Sequence, residues 1–165
     1  MTLAYVSGGS NLDAEKNLRL AAHALKAAYP GARFSKVYRN RAIGFEGPDF
    51  LNFVVELDVQ GPPGALKAEL EHIESLCGRE RYAPKWEPRT MDLDILLFGD
   101  VVMDVPGLVL PRPQLLNWAF MLGPVAELAP ALLHPVAGKS IGALWAAFDQ
   151  KAHSLLPEAL DLNAD

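Results

Sequence analysis

The chain has 165 residues, a formal net charge of −5 and a hydrophobic fraction of 50%, which predicts one domain, residues 1–165, with a sizeable core. It has no apolar run as long as a membrane helix, no N-terminal signal-peptide pattern and a single cysteine, Cys77, which argues against a membrane protein, a secreted precursor and an intrachain disulfide. We therefore expect a cytoplasmic protein without a membrane partner, in which Cys77 is a buried structural thiol.

The predicted elements alternate between strands and helices along the chain. Residues 3–6 form a buried strand that ends in the Ser- and Gly-rich run 7–11, and apolar residues at helical spacing predict a helix over 13–29. The elements that follow are a second strand at 32–40, a loop at 42–49, a third strand at 50–59, a helix ending near Cys77, a fourth strand at 91–98, and a turn at 99–100 leading into 101–102.

This order, β-α-β-β-α-β, predicts an α+β protein with a ferredoxin-like βαββαβ core. The remainder, from about residue 105, is rich in Pro and Leu, and we expect it to add C-terminal strands and short helices to the sheet. Because this fold hosts many functions, function has to be inferred from individual residues.

Two acids in the fourth strand are the most informative residues. Asp92 and Asp94 alternate with Met91, Leu93 and Ile95, so both carboxylates should stand on one face of the strand, roughly 7 Å apart. Two like charges in an apolar strand repel each other unless a cation or water separates them. A polar outer face of an edge strand is the simpler interpretation, but Mg²⁺ is commonly held by one or two carboxylates together with substrate phosphates.

A basic loop immediately before this strand strengthens the second interpretation. Between residues 79 and 89 the acidic chain carries four cations, Arg79, Arg81, Lys85 and Arg89, with Trp86 among them. Guanidinium groups bind phosphate oxygens in a planar fork, and an indole offers a flat face to a heterocycle or a cation. The alternative is a solvated basic loop without a ligand.

Four stretches of the sequence resemble the 6-hydroxymethyl-7,8-dihydropterin pyrophosphokinase family, folate-pathway enzymes that transfer a pyrophosphoryl group from ATP to a pterin alcohol. They are AYV-x-x-GSN at 4–11, PDFLN at 48–52, PRTMDLDILLFG at 88–99 and FML at 120–122. The similarity runs to about residue 148 in a single register. The element from Pro88 to Asp94 is very specific for the family, whereas Gly-Ser-Asn alone would be a weak signal.

The resemblance implies roles for residues around the phosphates. Asp92 and Asp94 would hold two Mg²⁺ ions between the ATP phosphates and the attacking hydroxymethyl group, which agrees with the geometry above. Arg79 and Arg89 match catalytic loop arginines that stabilise charge on the transferring group. The positions that match the ATP site are Glu74, Arg81, Ile95 and Arg112.

The resemblance also implies a pterin site. Its matching residues are Asn40, Ile43, Phe50, Asn52, Trp86 and Phe120. By the resemblance, Phe120 would stack on the pterin ring, Trp86 would close over the ring, and Asn52 would form hydrogen bonds with the ring edge. An amide suits that edge because it supplies both a donor and an acceptor. From the residues alone, Phe50 and Phe120 could equally be core packing.

Several positions depart from the family pattern. Arg112 stands where a histidine is usual, Trp118 where a phosphate-binding arginine is usual, Asn40-Arg41 where Thr-Pro is usual, and Gly8 where a bulky aliphatic residue is common. Losing one charge-assisted phosphate contact typically costs about 1.5–3 kcal/mol, so ATP should bind less tightly unless Arg112 or Arg41 compensates.

The sequence thus predicts a monomeric, Mg²⁺-dependent transferase that converts ATP and 6-hydroxymethyl-7,8-dihydropterin into AMP and the pterin diphosphate. Its partners would be these small molecules and not nucleic acid. One alternative is a diverged paralogue that acts on a related pterin, or that binds pterin and nucleotide without turnover. A second is a nucleic-acid-binding module, since exposed aromatic residues on such a sheet can stack on bases. The acidic net charge argues against it.

Overall fold

A computed structural model describes residues 1–41, 47–78, 90–151, 153 and 155–164. The strands are β1 (Thr2–Ser10), β2 (Arg33–Phe34), β3 (Val37–Asn40), β4 (Phe50–Val59), β5 (Asp92–Phe98), β6 (Met103–Val105), β7 (Leu108–Leu110) and β8 (Leu156–Glu158). The helices are α1 (Ala14–Ala28), α2 (Pro63–Leu76), α3 (Ala119–Leu128) and α4 (Ile141–Ala147), and a short 3₁₀ helix spans Pro113–Leu116.

The main sheet is antiparallel and has the strand order β5-β1-β4-β3-β8, with β2 also paired to β4. A connection through α1 joins β1 to β2 and β3, and a connection through α2 joins β4 to β5. This arrangement is the split βαβ pattern, so the predicted ferredoxin-like core is confirmed. Strands β6 and β7 form a separate hairpin beyond β5.

Each face of the sheet is packed against helices by its own apolar core. One core joins the sheet to α1 and α2 through fully buried side chains such as Leu18, Leu25, Leu66 and Phe53. The other core joins Tyr5, Val54, Leu96 and Leu97 to α3, α4 and the 3₁₀ helix. This second core extends from the row of Tyr5 and Leu97 to Val54, which pairs with Ser7. The next row on the same sheet face, at Gly9, lies beyond the core, so this end of the face has no apolar cover from it.

The first strand is longer than the sequence pattern predicted. The run 7–11 was expected to end the strand, but Ser7, Gly8 and Gly9 pair with both β4 and β5. These two positions accommodate only glycine because neighbouring side chains occupy the space of a Cβ. A Cβ on Gly8 would lie 2.3 Å from the Phe53 ring, and one on Gly9 would lie 2.5 Å from Asn52 Oδ1. The missing aliphatic side chain at Gly8 is thus replaced in the core by Phe53.

Another predicted strand is also corrected. The strand expected over 32–40 is divided into β2 and β3, because Ser35 leaves the regular ladder and its Oγ accepts the Val54 N–H at 2.9 Å. Gly99 has the positive φ of the predicted turn, and the next strand, β6, starts at Met103. In the described part of the chain, every helix is too short or too polar to span a bilayer.

Candidate active site

The uncovered end of the sheet brings together residues from three strands. Asp92 on β5 is paired with Gly9 on β1, and Gly9 is paired with Asn52 on β4. Paired residues of antiparallel strands project to the same face, so these three positions form one row. Neighbouring strands lie about 4.8 Å apart, which separates the backbones of Asp92 and Asn52 by about 10 Å.

The alternation along β5 places both aspartates on this face. Leu93 and Ile95 are 6% and 5% exposed and belong to the core under α1 and α2, whereas Asp92 and Asp94 are only partly buried. Both carboxylates line a cavity of about 720 Å³ between β5, α2 and the β6–β7 hairpin. The other residues that line this cavity include Glu74, Ile95 and Arg112, which the sequence predicted as ATP-site positions.

Glu74 reaches the cavity from α2 and binds the outer edge of β5. Its Oε2 accepts the backbone N–H of Leu93 at 2.8 Å. Since β5 is an edge strand, that N–H points away from β1 and would otherwise face the cavity. Glu74 therefore fixes the backbone between Asp92 and Asp94.

A β-bulge in β5 positions the arginine of the site. The register with β1 shifts at Leu96, because Tyr5 pairs with Leu97 and Val6 with Ile95. The carbonyl of Leu96 accepts the backbone N–H of Arg112 at 2.9 Å. The Arg112 side chain then extends back along the strand, and its Nη1 lies 3.4 Å from Asp94 Oδ1.

Two polar atoms beside the aspartates are buried without a hydrogen-bond partner. They are Thr90 Oγ1 and Arg112 Nε, and the described residues contain one further atom of this kind, Asp58 Oδ1. Buried polar groups normally have partners, and of these two atoms Arg112 Nε belongs to a residue that lines the cavity. Thr90 precedes β5 and is not among the lining residues. Sequence reasoning gave Thr90 no role, although it stands in the element from Pro88 to Asp94 that carries the resemblance.

The donor set fits a hard divalent cation that is also held by a ligand. Among residues 1–41, 47–78, 90–151, 153 and 155–164, no three His, Cys, Asp or Glu side chains gather as a metal site. Two carboxylates on one face, Asp92 and Asp94, supply only part of a coordination shell. This is the usual arrangement for Mg²⁺, which keeps several waters and shares substrate phosphates instead of occupying a complete protein cage.

Across the sheet, an amide pair forms the second half of the site. Asn52 is 6% exposed, and its Nδ2 donates to Asn40 Oδ1. Asn40 in turn donates to the Arg41 carbonyl at 3.0 Å and pairs with Phe50 in the sheet. Three residues predicted for the pterin site, Asn40, Phe50 and Asn52, thus lie side by side on the face that carries the aspartates.

The remaining described residue of the predicted pterin site is Phe120, at the start of α3. It is half-buried, and its ring lies 5.7 Å from the ring of Trp118 at an interplanar angle of 31°. Trp118, which replaces a usual arginine, therefore packs against an aromatic residue. Five predicted site residues lie outside the described residues: Ile43, Arg79, Arg81, Trp86 and Arg89.

Cys77, at the end of α2, is not a reactive group of this site. Burial, with a smaller contribution from the negative charge of Glu74, raises the pKa of its thiol to about 11. The thiol is therefore protonated at neutral pH, and Cys77 is the buried structural residue that the sequence predicted.

The chain is similar in sequence to proteins of one enzyme family. The model of the 7,8-dihydro-6-hydroxymethylpterin-pyrophosphokinase (HPPK) family matches residues 5–130. A 2-amino-4-hydroxy-6-hydroxymethyldihydropteridine pyrophosphokinase from Pseudomonas aeruginosa is 38% identical over 159 residues, which cover 94% of this chain and 97% of the relative. One of the same name from Synechocystis sp. is 41% identical over 122 residues, 74% of this chain and 62% of the relative.

Solved structures resemble the fold. A crystal structure of Plasmodium falciparum HPPK-DHPS wild type with SDX-DHP has a TM-score of 0.63 at 14% identity and covers 88% of this chain. An HPPK-DHPS structure in complex with substrates has a TM-score of 0.68 at 11% identity and covers 91%. The matches span 43% and 44% of those longer chains, so they support the fold alone.

Proposed function

Because the chain belongs to the 7,8-dihydro-6-hydroxymethylpterin-pyrophosphokinase family, we propose that it transfers a pyrophosphoryl group from ATP to the hydroxymethyl group of 6-hydroxymethyl-7,8-dihydropterin in folate synthesis. The observation that carries this proposal is the row of Asp92, Gly9 and Asn52 on one sheet face. In this row the carboxylate residue that would hold the phosphates and the amide residue that would bind the pterin have backbones about 10 Å apart. A pterin alcohol and a triphosphate could lie across such a row.

The reaction needs no covalent enzyme intermediate. The hydroxymethyl oxygen forms a bond to the β-phosphorus of ATP, and the bond from that phosphorus to the α-phosphate oxygen breaks. AMP leaves, and the hydroxyl proton passes to solvent. A directly positioned alcohol suffices for this displacement, since orientation alone can supply much of the rate enhancement.

On the phosphate side, Asp92 and Asp94 would hold two Mg²⁺ ions, which when bound neutralise phosphate charge. Glu74 keeps the backbone of β5 in place between the two carboxylates. Arg112 and Ile95 would contact the nucleotide from the cavity wall. We also propose that the loop arginines Arg79, Arg81 and Arg89 act on the phosphates from the preceding segment.

On the pterin side, Asn52 would bind the polar edge of the ring, and its bond with Asn40 fixes the orientation of its amide. Phe50, Phe120 and Trp86 would supply apolar and aromatic contacts to the ring faces, and Ile43 a further apolar contact. A monomer would be sufficient, since all of these residues belong to one chain. Light scattering of the purified protein checks that state.

AMP release in the presence of reduced hydroxymethylpterin, ATP and Mg²⁺ tests the proposal. We expect Asp92→Ala and Asp94→Ala each to lower kcat at least about 100-fold, because a lost ligand removes several kcal/mol of charge stabilisation. Asp104→Ala, which removes an exposed aspartate from β6, is the matched control and should behave as wild type. AMP release that survives both cavity substitutions would rule out the mechanism.

The same assay separates the alternative of a binding protein without turnover, since pterin and ATP would then bind without forming AMP. A nucleic-acid platform is disfavoured by the distribution of charge. Asp92 lies in the row beyond the second apolar core, and Asp94 lies in the row next to it. An acidic surface repels a phosphate backbone.

A further inference from the structure

Arg112 is held at two points beside one of the proposed cation ligands. Its backbone N–H donates to the Leu96 carbonyl at 2.9 Å, and its Nη1 lies 3.4 Å from Asp94 Oδ1. The backbone contact belongs to the β-bulge and keeps the residue next to the cavity. The ion pair is about one-third exposed on both sides, at 33% for Arg112 and 36% for Asp94, so the side chain can exchange partners without unfolding the strand.

A divalent cation and Arg112 compete for the same carboxylate. Asp94 cannot offer its Oδ1 lone pairs to both at full strength, and two positive groups within a few ångströms of each other repel. Binding of the cation therefore weakens the Arg112–Asp94 pair. By the same reasoning, Arg112 lowers the affinity of Asp94 for a cation when no nucleotide is bound.

Once Arg112 is released from Asp94, a phosphate group of the nucleotide can accept its hydrogen bonds. Its Nε is buried without a hydrogen-bond partner even while Nη1 faces Asp94. A phosphate group accepts two parallel N–H bonds from a guanidinium fork, which would satisfy Nε and one terminal nitrogen together. Arg112 lines the same cavity of about 720 Å³ as both aspartates, so a phosphate there lies within its reach.

We propose that Arg112 couples divalent-cation binding to nucleotide binding by exchanging Asp94 for a phosphate. In the ligand-free protein Arg112 neutralises Asp94. When cation and nucleotide bind together, the cation takes the carboxylate and Arg112 takes a phosphate oxygen, so each ligand strengthens the binding of the other. This inference rests on the proposed function and adds to it a coupling role for Arg112, since the residue links the two binding events in addition to attracting a phosphate.

The test measures binding of Mn²⁺, as a spectroscopic substitute for Mg²⁺, with and without α,β-methylene-ATP, which cannot release AMP. In Arg112→Met, nucleotide-free Mn²⁺ binding should tighten about 2- to 5-fold, because a partly exposed ion pair no longer opposes it. The factor by which the nucleotide tightens Mn²⁺ binding should fall about tenfold relative to wild type, because the phosphate contact is also lost. Arg112→Gln, of similar length, should give the same two changes and serves as the second variant.

A second measurement separates coupling from general charge repulsion. Without metal, Asp94→Asn should tighten nucleotide binding more than Asp92→Asn does, because Asp94→Asn removes the carboxylate that forms the ion pair with Arg112. That extra gain should disappear when Arg112→Met is added, which is the signature of a pairwise coupling.

Equal cation–nucleotide coupling in wild type and both Arg112 variants would overturn the inference. So would an Asp94→Asn gain that persists in the Arg112→Met background. If the wild-type preparation forms AMP while either result is obtained, this inference alone falls. A wild type that forms no AMP but shows the coupling would overturn the proposed reaction and leave the role of Arg112 standing.

Discussion

At Gly9 the absence of a side chain provides the space that the Asn52 amide occupies. A Cβ at this position would lie 2.5 Å from Asn52 Oδ1 and 3.6 Å from Phe50 Cδ1. The backbone of Gly9 is ordinary strand, paired on both sides, so the constraint is space and not conformation. One methyl group would therefore displace the amide that is proposed to bind the pterin edge.

Gly9→Ala should reduce kcat/KM for the pterin by about 5- to 100-fold. The displaced Asn52 would lose its hydrogen bond with Asn40 and its orientation toward the pterin ring, which costs about 1–3 kcal/mol. The KM for ATP should change much less. Steady-state kinetics with each substrate varied in turn measure both effects. Gly64→Ala, where an added Cβ meets nothing within 4 Å, is the control. A Gly9→Ala enzyme with unchanged pterin kinetics would remove Asn52 from the site.

His134 is a residue whose protonation opposes folding. It is 3% exposed, and its Nδ1 accepts the backbone N–H groups of Val136 at 3.2 Å and Ala137 at 3.0 Å. Burial lowers the pKa of His134 below its ordinary value. A protonated Nδ1 cannot accept either bond, so the folded protein disfavours the imidazolium form more than the unfolded chain does.

The sign of the pH effect follows from that lowered pKa. Between the folded-state pKa and the ordinary value near 6.5, the unfolded chain binds more protons, so stability rises with pH. We expect the free energy of unfolding of wild type to fall on acidification from pH 7.5 through this window, measured by urea titration. His134→Asn, whose amide oxygen can accept the same N–H groups without titrating, should lose less. If the free energy of unfolding depends on pH in the same way in both proteins, His134 is not the group responsible for the pH dependence.

At the scale of elements, the edge strand β5 uses its outer backbone groups to build the site. The N–H of Leu93 binds Glu74 from α2, and the carbonyl of Leu96 binds the N–H of Arg112. Edge strands otherwise expose such groups to pairing with another chain. The two contacts both protect the edge and fix where the Asp92–Asp94 pair and Arg112 stand.

The C-terminal segment closes the opposite edge of the sheet. Strand β8 pairs with β3, and Leu160 and Leu162 are buried in the core under α1 and α2. The Asn163 side chain accepts the Phe34 N–H at 2.9 Å and donates to the Phe34 carbonyl at 2.9 Å. One amide thus acts as a strand partner for β2, beyond the residues that match the family model.

Asn163→Ala should destabilise the protein by about 2 kcal/mol, because both Phe34 backbone groups lose a partner in a partly buried setting. For a chain of this size that lowers the midpoint of thermal unfolding by about 4–8 °C. Differential scanning calorimetry measures the shift. Asn117→Ala, at an exposed position after the 3₁₀ helix, should change it by less than about 2 °C. Equal midpoints for the two variants would show that the C-terminal segment contributes little.

For the whole molecule, the sequence predicted those features that depend on local patterns of apolar and polar residues. Periodicity located α1, α2, β4 and β5, and their order determined the fold, because each element buries a continuous apolar face. The alternation around Asp92 and Asp94 likewise predicted their common face. C-terminal strands were expected on the sheet, but the position of β8 could not be predicted, because its three residues, Leu156–Glu158, are defined by pairing with a strand more than a hundred positions away. The Arg112–Asp94 contact could not be predicted for a related reason, since it depends on the bulge at Leu96.

The ligands should stabilise the molecule as a unit, because the site draws on β1, β4, β5 and α2 at once. At a concentration about 100-fold above its Kd, a ligand that binds only the folded state adds about 2.7 kcal/mol. For 165 residues that raises the thermal midpoint by about 5–10 °C. We expect this shift in wild type and in Asp104→Ala with Mg²⁺ and α,β-methylene-ATP, measured by calorimetry at fixed ligand concentration. Removal of Mg²⁺ by a chelator, or Asp94→Ala, should reduce the shift by more than half, since the cation loses its carboxylate ligand. An undiminished shift in Asp94→Ala would place the nucleotide elsewhere in the fold.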